Sequence, residues 1–183
     1  GNPFGVRCYG YSFGLNEAEG LWGGYGEYMS ILPGTQLVRL TDDISAEELT
    51  LFEPLSNMVN WLGQAGFRAG MSIVIQGPGH MGLTCAAYAK TLGATVIVTG
   101  TGDDALRLDV AREVGADHTI DVTVDDPVEA VMDLSGGFGV SVAVDLASAT
   151  ATPGLCLDLV HHGGRVVWAG LKDNQVVPVV SDK

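Results

Sequence analysis

The sequence predicts an α/β fold, a doubly wound parallel sheet covered by helices on both faces, with a smaller segment of different character in front. Three observations lead to this prediction. From about residue 70 onward, short runs rich in Val and Ile alternate with longer helical patterns. The Val and Ile runs are continuously apolar, which is typical of parallel strands that are buried on both faces. Strand and helix alternate at the spacing that joins parallel strands through right-handed crossovers.

The chain changes character near residue 45. Residues 1–45 are rich in Gly, Tyr and Trp, and they contain two strand-like pieces, 26–31 and 36–40, joined by the turn sequence LPGT. A segment of this size is too short to fold alone. We therefore predict a small β segment over residues 1–45 and one α/β domain over residues 46–183.

The α/β domain is predicted to begin with a helical segment near Ser45. Ser45 followed by Glu47 and Glu48 favours a helix N-terminus, and Pro54 should kink this helix or divide it into two. The later strands are predicted at 72–75, 95–99, 118–121, 140–145 and 165–169. The helices that connect them are predicted at 80–92, 103–114, 127–134 and 152–160.

The composition excludes several classes of partner. The 183 residues contain 22 Asp and Glu against 9 Lys and Arg, so the formal net charge is −13. Such a charge repels nucleic acid and anionic membrane surfaces. We expect no signal peptide and no transmembrane helix from the sequence. Any phosphate group must therefore be bound by local backbone dipoles and not by a basic surface.

The cysteines do not suggest a disulfide framework. Cys8, Cys85 and Cys156 are far apart and lack Cys-x-x-Cys spacing, which indicates a reducing compartment, so we expect a cytoplasmic protein. Cys85 and Cys156 lie on predicted helices and are interpreted as small apolar packing groups. A structural zinc site built from this chain alone is not expected.

The sequence IVIQGPGHMGL at residues 73–83 carries the main functional signal. Gly77, Gly79 and Gly82 have Gly-x-Gly-x-x-Gly spacing between the first strand and the first helix of a βαβ unit. Gly77 allows a sharp turn, Gly79 lets a pyrophosphate approach the backbone, and Gly82 lets the helix lie close to the sheet. We predict a dinucleotide site at the helix N-terminus, with a tight turn that binds no ligand as the alternative. The predicted cofactor-binding residues of this loop are Gly77, Pro78, Gly79, His80, Met81 and Gly82.

The end of the second predicted strand leaves the choice between NAD and NADP open. Many dinucleotide sites have a carboxylate about 20 residues after the glycines that binds the adenosine ribose. Thr99 and Gly100 occupy this place in the present sequence. Asp103 and Asp104 follow, and we interpret them as helix-capping groups. Arg107, one turn into the next helix, could reach a 2′-phosphate, so Thr99, Gly100 and Arg107 are predicted to contact the adenosine end of either cofactor.

Several segments resemble one protein family in order and spacing. They are GGYGEY at 23–28, LVRLTDDISAEE at 37–48, FEPLSNMV at 52–59, VIQGPGHMGL at 74–83, AREVGADHTID at 111–121 and GGRVVWAGL at 163–171. Over nearly its whole length the chain resembles the medium-chain dehydrogenase/reductases, in particular the zinc-dependent alcohol, polyol and threonine dehydrogenases. The resemblance implies a Rossmann domain that lacks its last strand and, over residues 1–45, a remnant of a GroES-like catalytic domain.

The resemblance also implies an activity and further site residues. The implied reaction is hydride transfer between a small-molecule alcohol or polyol and NAD or NADP, assisted by zinc in the intact protein, which is expected to be a homo-oligomer. Glu53 corresponds to a carboxylate near the catalytic zinc, whereas the Cys and His-Glu ligands of the family are absent from this chain. No catalytic side chain is assigned. The backbone expected to line the nicotinamide belongs to Ala147, Ala169, Gly170 and Leu171.

Three other functions fit parts of this pattern. Zinc-independent quinone reductases of the same superfamily share the cofactor-binding part, and a non-catalytic dinucleotide-binding module is also possible. Methyltransferases that use S-adenosylmethionine have a glycine-rich first loop but usually lack the spacing from Gly79 to Gly82.

His161 and His162 resemble an acid/base pair, but at a predicted helix C-terminus they are interpreted as capping groups. Asp145, at the end of the fourth strand, is interpreted as a structural hydrogen-bonding residue.

Overall fold

The computed structural model describes residues 8, 9, 12, 14 and 20–180. The chain divides into two compact units, Gly1–Asp43 and Ile44–Lys183. Within the described residues, every helix and every strand belongs to the second unit. The second unit alternates strands and helices along the chain, as an α/β fold requires.

Five parallel strands form one sheet in the second unit. They are β1 (Ser72–Gln76), β2 (Thr95–Gly100), β3 (His118–Asp121), β4 (Val140–Asp145) and β5 (Val160–Trp168). Their order across the sheet is β3-β2-β1-β4-β5. The chain runs from β1 outward to β3 on one side, then crosses to the other side of β1 for β4 and β5. This is the order of a doubly wound sheet, so the predicted fold class is confirmed.

Six α-helices and a short 3₁₀ helix occur among the described residues. They are α1 (Ala46–Leu49), α2 (Phe52–Gln64), α3 (His80–Thr91), α4 (Ala105–Glu113), α5 (Pro127–Leu134) and α6 (Thr152–Leu159), with the 3₁₀ helix at Gly102–Asp104. None of the helices in the described ranges is long and apolar enough to cross a membrane.

The helical segment after Ser45 is divided into α1 and α2. Ser45 Oγ accepts a hydrogen bond from Glu48 N, and Glu48 Oε2 accepts one from Ser45 N. This reciprocal cap confirms the helix N-terminus predicted at Ser45. Pro54 lies in the first turn of α2, where its missing N–H removes no helical hydrogen bond. Of the two outcomes predicted for Pro54, the chain therefore adopts the division into two helices.

Successive residues of β1 face two different buried clusters. Ile73 and Ile75 belong to the cluster that includes residues of α2, α3 and α4. Val74 belongs to the cluster that includes residues of α5 and α6. All three side chains have no exposed surface. The central strand is therefore covered by helices on both faces, which explains its continuously apolar sequence.

The two strands predicted in the first unit are not formed. Residues 26–31 and 36–40 consist of bends and irregular chain, and the described residues before position 44 contain no strand. Side chains such as Tyr28 and Val38 are largely exposed. A strand requires a neighbour for its backbone hydrogen bonds, and apolar patterning alone does not provide one. The strand prediction was therefore wrong, while the assignment of residues 1–45 to a GroES-like remnant stays a prediction.

The start of β5 also differs from the prediction. The strand was expected from residue 165 after a helix ending at residue 160, but α6 ends at Leu159 and β5 begins at Val160. Val160 pairs with Val140, and the register shifts before the pairing continues. His161 and His162 consequently lie in a strand. Their interpretation as caps of a helix C-terminus was wrong.

Asp117 connects three elements near the far edge of the sheet. Its Oδ2 accepts a hydrogen bond from Val96 N at 2.8 Å, and its Oδ1 accepts one from Lys90 Nζ at 2.6 Å. Burial alone would raise the pKa of this carboxyl, but the hydrogen bonds from Lys90 and Val96 outweigh burial. The pKa of Asp117 is therefore lowered from its ordinary value of 3.8.

We expect Asp117→Asn to lower stability at neutral pH and to weaken its dependence on acid. Because the pKa is lower in the folded state, the ionised carboxyl stabilises the fold above its unfolded-state pKa, and this contribution is lost as pH falls through the folded-state pKa. Urea unfolding over a pH series measures the effect, with the exposed Asp133→Asn as the control. Identical acid dependence in wild type and Asp117→Asn would contradict this role.

Candidate functional site

Because all five strands are parallel, the loops that follow them emerge at one edge of the sheet, the edge formed by the C-terminal ends of the strands. The strand order reverses between β1 and β4. In open α/β sheets, ligands bind in the crevice at such a reversal. The predicted cofactor-binding residues lie in or beside the loops after β1, β2, β4 and β5, so the fold brings them to this edge.

Two of the three motif glycines are required by the protein's own backbone. Gly77 has a φ of 101°, a conformation that favours glycine, and its N–H donates to Thr99 O at 3.0 Å. A Cβ on Gly77 would lie 3.1 Å from the backbone of Ala147. A Cβ on Gly82 would lie 1.9 Å from Gly77 O, far inside van der Waals contact. These two glycines allow β1, the loop after β4 and the start of α3 to approach one another closely.

The middle glycine has a different environment. A Cβ on Gly79 would meet nothing within 4 Å, and its φ of −71° and ψ of 179° suit any residue. The fold itself therefore does not need glycine at this position. Gly79 is the N-cap of α3, and no side chain of the described residues caps this helix. The first N–H groups of α3 and the positive end of its dipole are therefore not occupied by a capping side chain, which is the arrangement that binds anions at helix N-termini.

The other side chains of the glycine loop lie in different surroundings. Pro78 is buried, and its Cγ would lie 3.0 Å from a Cβ on Gly100 at the end of β2. Met81 packs against the cluster that includes residues of α2, α3 and α4. His80 is exposed at the first position of α3. Of these three side chains, His80 is therefore the most exposed to solvent.

The end of β2 lies beside the glycine loop. Thr99 and Gly100 are both buried, and Thr99 O accepts the N–H of Gly77. A Cβ on Gly100 would contact Pro78, Leu108 and Asp104 at 3.0 to 3.2 Å. The absence of a side chain on Gly100 thus lets the loop after β1 and the start of α4 pack against the end of β2.

Asp104 is engaged by its own turn. Its Oδ2 accepts hydrogen bonds from Thr101 N at 3.1 Å and Thr101 Oγ1 at 2.9 Å, and its Oδ1 lies 2.9 Å from Arg107 Nη1. The hydrogen bond from the Thr101 backbone lowers the pKa of Asp104, with further help from the Thr101 hydroxyl and Arg107, and together they outweigh burial. The capping interpretation is confirmed for Asp104, whereas Asp103 is exposed. Arg107 is also exposed, next to the end of β2.

The loops after β4 and β5 contact each other on the other side of β1. Ala169 N and Gly170 N donate to Asp145 O at 3.1 and 2.8 Å. A Cβ on Gly170 would lie 2.1 Å from Ala147 O, so the two loops leave room only for glycine. Leu171 follows with an exposed side chain. The residues predicted to line the nicotinamide are therefore adjacent in space.

An ion pair that the sequence analysis missed lies beneath these loops. Asp145 is fully buried, and its Oδ2 lies 2.8 Å from Lys172 Nζ. Its Oδ1 accepts hydrogen bonds from Thr152 Oγ1 at 2.7 Å and from Ala147 N at 3.3 Å. The structural role predicted for Asp145 is confirmed, but Lys172 and Thr152 were not identified. The sequence contained one indication of this pair. Asp145 is a carboxylate in an apolar strand that was predicted to be buried, and a buried carboxylate requires a cation nearby. Lys172 is the first cation after β5.

The described residues do not form a metal site by themselves. Glu53 lies exposed in the first turn of α2, where its Oε1 accepts a hydrogen bond from Asn57 Nδ2 at 2.5 Å. In the part of the chain that the structure describes, no three His, Cys, Asp or Glu side chains are grouped to hold a metal ion. Burial raises the pKa of the Cys85 and Cys156 thiols to about 12, so neither is a ready thiolate ligand. Both cysteines are fully buried, which confirms their packing role.

Comparisons with known proteins agree with this arrangement. The family model described as zinc-binding dehydrogenase matches residues 81–181. A protein named probable alcohol dehydrogenase from Mycobacterium tuberculosis is 40% identical over 162 residues, which cover 86% of this chain and 44% of that protein. A sorbitol dehydrogenase from Halalkalibacterium halodurans is 35% identical over 130 residues, which cover 71% of this chain and 37% of that protein.

A similar solved structure comes from Sinorhizobium meliloti 1021 and is described as a zinc-binding dehydrogenase bound to NADP. Its TM-score is 0.63 at 30% sequence identity, and the match covers 69% of this chain and 38% of that chain. The present chain thus spans less than half the length of each of these three proteins.

Proposed function

The chain belongs to the zinc-binding dehydrogenase family, and on that premise we propose that it is the cofactor-binding part of an NAD- or NADP-dependent oxidoreductase. The proposed reaction is reversible hydride transfer between the nicotinamide ring and a carbon of a small-molecule alcohol or polyol. An alcohol dehydrogenase and a sorbitol dehydrogenase among the relatives support this substrate class.

The observation that carries the proposal is the open space at Gly79. The two flanking glycines are explained by contacts within the fold, but glycine at position 79 relieves no contact within the protein. A ligand that must approach the backbone closely explains it. The backbone N–H groups at the start of α3 would bind the diphosphate without a lysine or arginine, which suits a chain with a net charge of −13.

The two ends of the dinucleotide would lie on opposite sides of β1. Thr99, Gly100 and Arg107 would contact the adenosine end, beside β2. The backbone at Ala147 and over residues 169–171 would line the nicotinamide end, beside β4 and β5. When bound, the nicotinamide supplies the hydride acceptor or donor, and the residues of this chain bind and orient it.

Both NAD and NADP fit the end of β2. Asp104 is already engaged by Thr101 and Arg107, so it is not a free carboxylate that would select the ribose hydroxyls of NAD. Arg107 is exposed enough to bind a 2′-phosphate as well. The similar protein from Sinorhizobium meliloti was solved with NADP, which supports including that cofactor.

The expectation that the intact protein uses zinc rests on its membership of the zinc-binding dehydrogenase family. Glu53 stays a prediction for a carboxylate near zinc in the intact protein, but the described residues do not supply a donor set for the ion. No step of the reaction is therefore assigned to zinc. Assembly of the protein into a homo-oligomer likewise stays a prediction.

Titration of the chain with NADH and with NADPH, followed by nicotinamide fluorescence, tests the cofactor proposal and compares the two cofactors. We expect the wild type to bind at least one of them. Gly79→Ala should weaken binding by about tenfold or more, and Gly79→Val should weaken it further, because each added side chain fills the space at the tip of α3.

Gly63→Ala is the matched control, since Gly63 is an exposed glycine of α2 with nothing within 4 Å of an added Cβ. It should bind cofactor as the wild type does. The proposal is wrong if the wild type binds neither cofactor, or if Gly79→Val binds as tightly as the wild type. Binding without alcohol turnover in a longer protein would favour a non-catalytic dinucleotide-binding module.

A further inference from the structure

We propose that Lys172 is a positioning residue that fixes the nicotinamide side of the site by tying the loop after β5 to the loop after β4. This inference rests on the proposed function, since it concerns one half of the same cofactor site. It assigns a role to a side chain that belongs to neither the glycine loop nor the residues predicted to touch the cofactor.

Three oxygen atoms surround the ammonium group of Lys172. Asp145 Oδ2 lies 2.8 Å from Nζ, Ala147 O lies at 2.5 Å and Thr152 Oγ1 lies at 3.3 Å. These atoms belong to the end of β4, to the loop after it and to the first residue of α6. Because Lys172 itself lies in the loop after β5, one ammonium group joins three separate segments.

Because the side chains of Asp145 and Lys172 are both largely buried, each charge depends on the other for neutralisation. The side chain of Asp145 is 0% exposed and that of Lys172 is 10% exposed. The ammonium group of Lys172, 2.8 Å away, is the counter-charge of Asp145 Oδ2, and no other described residue donates a hydrogen bond to this atom. A buried carboxylate without a cation is strongly destabilising, and each member of the pair therefore holds the other in place.

The backbone around Lys172 is also fixed. A Cβ on Gly170 would lie 2.9 Å from Lys172 Nζ as well as 2.1 Å from Ala147 O. After Lys172 the chain turns sharply, with φ of 48° at Asp173 and 61° at Asn174. Gln175 N donates to Lys172 O at 2.8 Å and closes this turn. The loop after β5 is therefore held both by the side chain of Lys172 and by its own turn.

The contacts of Lys172 lie on one side of β1 only. They fix Ala147 and the loop 169–171, which would line the nicotinamide. The adenosine end would instead lie at Thr99 and Gly100, which are held by the glycine loop. Loss of the ammonium group should therefore disturb the nicotinamide half and spare the adenosine diphosphate half.

Calorimetric titration of the chain with NADH, NADPH and ADP separates these halves, because ADP contains no nicotinamide. Lys172→Met keeps the length of the side chain but removes its charge and donors. We expect this variant to raise the Kd of the better-bound dinucleotide by about tenfold or more and to change the Kd of ADP by less than about twofold. Lys172→Arg should restore much of the dinucleotide affinity, since it keeps the charge.

A second variant covers the case in which Lys172→Met does not fold. Asp145→Asn together with Lys172→Met removes the unpaired buried charge, and it should fold while still binding dinucleotide weakly and ADP normally. Equal losses for ADP and dinucleotide, or no loss for either, would overturn the proposal. Failure of both variants to fold would overturn it as well, because the pair would then be a general stabilising contact. A wild type that binds neither dinucleotide removes the cofactor proposal itself, whether or not it binds ADP. A wild type that binds a dinucleotide, together with a folded Lys172→Met variant that binds it equally well, overturns this inference alone.

Discussion

Gly82→Ala should lower the free energy of unfolding by about 4 kcal/mol or more. The added Cβ would lie 1.9 Å from Gly77 O and 3.1 Å from Gly77 C. That carbonyl cannot move easily, because Gly77 has a φ of 101° and donates its N–H to Thr99 O. Helix α3 would have to move off the sheet instead, which would expose Cys85 and Ala86. Domains of this size are usually stable by only about 5–15 kcal/mol, so the loss would be severe.

Gly79→Ala is the matched control for this prediction, three residues earlier in the same loop. Its Cβ would meet nothing within 4 Å, so its free energy of unfolding should stay within about 0.5 kcal/mol of the wild type. Urea unfolding followed by circular dichroism measures both variants. Equal stability of Gly82→Ala and Gly79→Ala would show that α3 does not approach Gly77 as closely as described.

Asp145→Ala should lower the free energy of unfolding by about 3–5 kcal/mol, the range found when one partner of a buried ion pair is removed. The variant leaves the ammonium group of Lys172, which is 10% exposed, without its counter-charge. It also removes the acceptor for Thr152 Oγ1, which lies 2.7 Å from Asp145 Oδ1. The same urea unfolding experiment measures this loss.

Two comparisons test the cause of that loss. Asp133→Ala, at an exposed position of α5, should change stability by less than about 0.5 kcal/mol. Adding Lys172→Met to Asp145→Ala should restore part of the lost stability, because the unpaired charge is then absent. A double variant as unstable as the sum of its single changes would argue against a coupled pair.

The three central strands, β1, β2 and β4, could be predicted because they are buried on both faces. The bounds of β3, β4 and α5 match the predicted ranges, and β1 and β2 each extend one residue further. The start of β5 could not be predicted, since it depends on the pairing of Val160 with Val140. The sequence His-His-Gly-Gly that follows Val160 has no apolar pattern of its own. Long-range pairing therefore decides this boundary.

The glycine loop of the candidate site could be predicted from the sequence, whereas the contact between Lys172 and Asp145 could not. Glycine spacing located the loop after β1, because the turn and the helix start depend on residues close in sequence. Lys172 was not predictable in the same way, because it precedes the polar residues Asp173 and Asn174 in a segment with the character of a solvated loop. Its contact with Asp145 exists only once β5 lies beside β4. Only the burial of Asp145 pointed to a missing cation.

The strand order has a consequence for how the domain folds. Strands β1, β2 and β3 follow one another along the chain, whereas the pairing of Ile73 with Val142 encloses that entire half. Closing so long a loop costs entropy before any contact compensates for it, so this step should be slow. A chain in which β4 has not yet paired with β1 has only one wall of the crevice. Bound cofactor would therefore retard unfolding of the finished domain and leave its folding rate unchanged.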